Sequence, residues 1–175
     1  MCQKIARSIA LINQTKQFMP YKVLMSLYYS QVMPHLTYCL PIWGSTYPSL
    51  TQPLFLLQKK VIRIITNSGF DDHTNPLFFS SGILKFYDLV KLEIGCFMYK
   101  NITNNVFNRL LHDYNTRNRN NLVTPQHDLT LFQKSLKFQG PKIWNTLNDN
   151  IKNTRTLFNF KKQYKLNLLN NYQTD

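Results

Sequence analysis

The amino-acid sequence predicts a mainly α-helical fold, a compact helical domain of about six to eight helices. Three observations carry this. Apolar residues recur at three- and four-residue intervals in most segments, as at Ile5, Ile9 and Ile12 or at Leu54, Leu57, Val61 and Ile64. Pro20, Pro53, Pro76 and Pro141 stand where such patterns begin, the position at which a missing N–H costs least. Strand-like composition is confined to one stretch, so a small β-hairpin near 122–138 is the single β candidate. The 175 residues are 43% hydrophobic and 14% aromatic, enough for a real core and unlike a disordered chain.

The first helix spans about 3–18, with Ile5, Ile9 and Ile12 on one side. A second begins at Pro20 and buries Val23, Leu24, Leu27 and Tyr28 before ending near Met33. Pro34 and Pro41 then break regular structure around a short helical turn, and Trp43-Gly44 forms an irregular corner. The strongest amphipathic pattern runs from Pro53 to Asn67. Leu54, Leu57, Val61 and Ile64 form its core stripe, Lys59, Lys60 and Arg63 fall on the other side, and Asn67 and Gly69 are its stop signals.

A loop over 69–74 holds Asp71 and Asp72. Thr74 or Asn75 caps the next short helix, with Pro76 in its first turn and Gly82 at its end. A longer helix runs from Tyr87 to Asn101, with Leu89, Leu92, Cys96 and Tyr99 at helical spacing and Asp88 near its positive end. Val106 to Leu111 suits a short helix, and 112–126 reads as a polar, basic loop. Leu122-Val123 and SLKFQ supply the hairpin candidate. Gly140-Pro141 opens a helix carrying Ile143, Trp144 and Leu147. Thr154 or Thr156 caps the last one, which places Leu157, Phe160, Tyr164 and Leu168 on one face. Trp43, Leu57, Val61, Ile64 and Trp144 are the expected core markers, because a tryptophan between prolines or on an apolar stripe is usually packed.

Charge divides the chain. Lys and Arg number 21 against 8 acids, a net +13. Residues 1–70 hold seven Lys/Arg and no acid, and residues 134–174 hold eight with only Asp149. Such an excess points to an anionic partner, and nucleic acid is the usual one. Residues 1–70 are read as a basic helical part and 71–175 as a helical extension, together one continuous globular unit. No apolar run approaches the ~20 residues that cross a bilayer, and 1–19 does not have a secretory pattern, so the expected setting is intracellular, nuclear or cytoplasmic, without a membrane. Cys2, Cys39 and Cys96 are odd in number and far apart, which fits a reducing compartment and buried free thiols.

TYCLPIWGS at 37–45 followed by LQKKVIRIIT at 57–66 resembles the region after the polymerase palm in reverse transcriptases of LINE-type, non-LTR retrotransposons. HTNPLF at 73–78, DLVKLEIGCFMYK at 88–100, NTR at 115–117, FQGPKIWNTL at 138–147 and FKKQYKLNLL at 160–169 follow in the same order, so the resemblance covers nearly the whole chain. It implies that 1–70 is thumb-like and that 71–175 is the helical C-terminal extension. It implies gripping of an RNA, RNA–DNA or DNA template–primer with low sequence specificity. The palm's Tyr-X-Asp-Asp turn has no counterpart here. The expectation is therefore a truncated fragment of an RNA-directed DNA polymerase, with no catalytic residues and no cofactor of its own. Magnesium would belong to the missing palm, and such a palm is a second implied partner; no small-molecule ligand is expected.

Lys59, Lys60 and Arg63 are the first candidates for phosphate contact, since cations on one helix face neutralise backbone charge; a plain solvated face is the competing reading. Lys161 and Lys162, off the apolar stripe of the last helix, are candidates of the same kind. Arg117 and Arg119, beside Tyr114, suit either a strand-following loop or a merely soluble one. His35 and Cys39 share a helical spacing but lack the further ligands a zinc site needs. Asp71-Asp72-His73 sits in a turn, where side-chain turn chemistry explains it better than a metal pair does. No nucleophile elbow, phosphate-cradling glycine loop or acid–base pair is present. From a different class, a non-enzymatic helical interaction module with an exposed apolar face, or a non-functional translated relic, remains the alternative.

Overall fold

The structure is a computed structural model that describes residues 1–102 and 121–172. It is mainly α, as the periodicity predicts. In chain order the helices are α1 (Cys2–Thr15), α2 (Tyr21–Leu27), a π-helical turn (Tyr28–Val32), α3 (Met33–Thr37), α4 (Leu40–Trp43), α5 (Pro48–Thr66), α6 (Thr74–Ser81) and α7 (Phe86–Asn101). After a short 3₁₀ turn (Phe132–Lys134) come α8 (Leu136–Asn145), α9 (Asp149–Lys152) and α10 (Leu157–Asn170). The short helix expected at Val106–Leu111 lies outside the described residues.

The hairpin candidate does not form among the described residues. SLKFQ enters α8 instead. Among the described residues the backbone of Leu122 pairs with one side chain: its N–H donates to Asn145 Oδ1 at 2.9 Å, and Asn145 Nδ2 donates to its carbonyl at 3.0 Å. Gly140 and Pro141 lie inside α8 and do not open it. Proline clashes with the Cβ of the residue before it, and Gly140 has none, so the helix passes through.

Contacts divide the chain into two compact units. The first comprises 1–39, 47–89 and 167–175; the second comprises 40–46 and 90–166. The change of composition at residue 70 falls inside the first.

In the first unit, Ile5, Ile9 and Ile12 of α1 are buried as predicted. Leu24 and Tyr28 are buried in the next segment, while Val23 is exposed and Leu27 half-buried. Pro34 does not break this segment. The π turn just before it shifts the hydrogen-bond register, with Met33 N–H donating to the Tyr28 carbonyl, and the chain stays helical through the proline. α5 starts at Pro48 rather than Pro53. Pro48 takes the first-turn position, and Pro53 costs only the bond to the exposed Ser49 carbonyl. Asn67, in left-handed conformation at φ 53°, ends α5, and Gly82 ends α6 at φ 62°. The last turn of chain is clamped. The Tyr172 hydroxyl accepts the Lys85 N–H at 3.0 Å and donates to Asp88 Oδ2 at 2.7 Å, while Lys85 Nζ sits 4.1 Å from its ring centre. Burial and then the Asp88 bond push that phenol well above its ordinary pKa.

The second unit is built on aromatic packing. Trp144 is buried, as expected, and stacks on Phe160 at 6.0 Å, with Tyr99 at 4.7 Å and Tyr164 at 5.8 Å from the same ring. Thr156 accepts the Asn159 N–H and caps α10. Trp43, expected in the core, is only half-buried: it is the last residue of α4, a four-residue helix too short to carry a buried stripe, which buries only Leu40. Only Cys96 is a buried thiol, and burial first, then Glu93, pushes it up to about 11; Cys2 and Cys39 are exposed.

Gly95 lies under the Tyr164 ring, and a Cβ there would meet Cε1 at 2.8 Å. Alanine gains about 1 kcal/mol of helix propensity, yet it must displace a ring held by Phe160. Gly95→Ala therefore loses about 1–2 kcal/mol by overpacking, read as a lower urea midpoint. A midpoint that is unchanged or raised contradicts this packing.

Candidate functional site

The face that α5 turns inward decides what it leaves outside. The sequence-predicted stripe was Leu54, Leu57, Val61 and Ile64. The buried residues are Thr51, Leu54, Gln58, Val61, Ile62 and Ile65, so the helix is rotated by roughly 60° at 100° per residue. Leu57 and Ile64 are half-buried and not core. The reason is Gln58. It is fully buried, and its Nε2 donates to the Tyr28 hydroxyl at 3.1 Å and to the Leu84 carbonyl at 2.9 Å. A buried amide must keep its partners, and these two lie on the side that a plain apolar stripe would leave behind.

The rotation leaves a groove between α1 and α5, with a volume of about 660 Å³. Its floor is apolar: Ala6, Ile9 and Ala10 from α1, and Leu56, Leu57 and Ile64 from α5. Alanine at two successive turns of α1 keeps the trough open. Along its sides stand Lys16, just past the end of α1, and Lys59, Lys60 and Arg63 from α5, with Asn13, Ser68 and Phe70. Among the described residues no carboxylate lines it. Four cations, three from α5 and one from the end of α1, thus line one trough that has no carboxylate among the described residues.

Two of these cations are held in place. Lys59 Nζ lies 4.7 Å from the Phe55 ring centre. The Arg63 guanidinium donates to the Asp72 carbonyl from Nε at 3.2 Å and Nη2 at 2.8 Å, and rests 5.9 Å from the Phe70 ring. The Asp72 carboxylate in turn accepts the Gly69 N–H at 2.6 Å. Asp72 is therefore a turn-forming residue, and Arg63 fixes the loop that carries Phe70.

The structure brings Lys59, Lys60 and Arg63 together, and adds Lys16, Asn13 and Phe70, which sequence reasoning missed. The signal for Lys16 was available: Ala6, Ala10, Asn13 and Lys16 repeat at helical spacing beside the isoleucine stripe. Lys161 and Lys162 are exposed on α10 in the second unit, where Lys161 pairs with Glu93 at 3.2 Å. Lys165 beside them is half-buried, and desolvation first, then Lys161, lowers its pKa. Arg117 and Arg119 lie outside the described residues. Among the described residues no cluster of three or more His, Cys, Asp or Glu could hold a metal, and no helix is long and apolar enough to cross a membrane. No protein-family model, curated protein or solved structure matches the chain.

A groove of this kind can hold an anionic ligand by charge while its floor covers apolar surface. Its geometry depends on Gln58. Gln58→Met keeps the volume but strands the Leu84 carbonyl and the Tyr28 hydroxyl, and should cost about 1–3 kcal/mol. Tyr28→Phe, which leaves the Leu84 bond intact, should cost less. Equal or reversed losses in urea denaturation contradict the assignment of Gln58 as the residue that sets α5.

Proposed function

We propose that the first unit grips nucleic acid through its phosphates, largely without sequence preference, and that the described chain performs no catalysis of its own. The observation that carries this is the convergence of Lys16, Lys59, Lys60 and Arg63 on one groove with no acid among the described residues that line it. The net charge of +13 supports it, as does the ordered resemblance to the post-palm region of LINE-type reverse transcriptases. In that setting the groove supplies the hold on template and primer, and the metal chemistry belongs to a palm outside the residues described. Phosphate neutralisation releases counterions, so charge is the main source of affinity here.

Binding to a short primer–template, followed over a range of salt, tests this. Three or four phosphate contacts give a log–log salt slope of about −3. Lys60→Gln should flatten that slope by about 1 and weaken binding alike for all sequences. Lys22→Gln, on the exposed start of α2 and away from the groove, should change it little. Binding that is absent, or flat in salt, contradicts phosphate gripping and favours apolar association instead.

A further inference from the structure

We propose that the α1–α5 groove takes a single strand, with its bases laid on the apolar floor and its phosphates on the cationic sides; this rests on the phosphate-binding reading above. The floor is the reason. A duplex shows phosphates and sugars to a protein and keeps its base faces stacked inside, so it has nothing to place on Ala6, Ala10, Leu57 and Ile64. A single strand exposes both kinds of surface at once, and a cationic groove with an aromatic platform suits it whatever its sequence.

Phe70 supplies the platform. It is 86% exposed at one end of the groove, and the Arg63 guanidinium lies over its ring at 5.9 Å. The loop beneath it is tied twice, by Arg63 to the Asp72 carbonyl and by Gly69 to the Asp72 carboxylate. An apolar ring this exposed on a braced loop is set to receive a flat partner.

The trough also has length. A smaller hollow continues it past Ala6, Leu56, Leu57 and Lys60 to Cys2, Gln3 and Pro53. From Pro53 to Ile64 the helix advances about 16 Å at 1.5 Å per residue. At about 3.4 Å per stacked nucleotide of one strand, that is room for about five nucleotides.

The test compares three probes of equal phosphate count with the full chain: a mixed-sequence single strand, the same strand with every base replaced by an abasic unit, and a blunt duplex. The expected result is at least tenfold tighter binding of the base-bearing strand than of the other two. Phe70→Ala, at an exposed position where folding is not at risk, should remove most of that advantage and leave abasic binding unchanged. Equal affinity for base-bearing and abasic strands overturns the single-strand assignment while leaving phosphate gripping intact. Preference for the duplex does the same. No binding of any probe overturns both. Displacement of the strand by a lower concentration of an acidic amphipathic peptide also overturns it, because the floor would then have been shaped for a protein helix.

Discussion

A single buried amide fixes the rest. Gln58 sits dry in the core of the first unit and bonds at once to a hydroxyl of the π turn and to a backbone carbonyl ahead of α7. Its Oε1 has no hydrogen-bond partner among the described residues, so the residue is already carrying a desolvation cost. Rotating α5 outward would also lose the two bonds it does make. Leu54, Val61, Ile62 and Ile65 bury on the same face, each worth about 1.5–3 kcal/mol, and Thr51 completes it. The helix therefore has one favoured setting. That setting places Leu57 and Ile64 on the floor of a groove and the three α5 cations along its side.

The groove is unfavourable when empty and favourable when filled. Four positive groups share a trough without a neutralising carboxylate among the described residues, so they repel one another. Lys59 is drawn over Phe55 and Arg63 is committed to the loop carbonyl, which limits how far either can move away. An anion entering the trough relieves that repulsion, and the braced side chains lose little freedom in binding it. Lys161 differs. It already has Glu93 as a partner, so the second unit meets at least one of its own cations internally.

Much of the fold was legible in the sequence. The isoleucine stripe of α1, the length of α7, the stripe of α10 and the stops at Asn67 and Gly82 followed from periodicity and from the backbone preferences of Asn and Gly. What escaped depended on partners distant in sequence. α5 contains two overlapping apolar stripes, and nothing local shows that Gln58 belongs inside, because Tyr28 and Leu84 lie far away along the chain. SLKFQ resembles a strand until Asn145 satisfies the Leu122 backbone and Gly140 lets the helix pass through Pro141. Pro34 reads as a break until a π turn absorbs it. In the candidate site the α5 cations were visible as a charge run. Lys16 was marked only by its spacing from Ala6, Ala10 and Asn13, and Phe70 by nothing local, since both join that run only once α1 and the 69–73 loop pack against α5.

The central claim is the rotational setting of α5, and one measurement tests it directly. With Cys2 and Cys39 changed to serine, a single new thiol is introduced at Ile64 or at Ile65, and its modification rate is followed in the folded protein. Ile64 is half-buried on the groove floor and Ile65 is 4% exposed in the core. Ile64→Cys should react readily, whereas Ile65→Cys should react only as fast as the unit opens. If Ile65→Cys reacts as fast as Ile64→Cys or faster, α5 is turned the other way, and neither the groove nor its cationic sides exist as described.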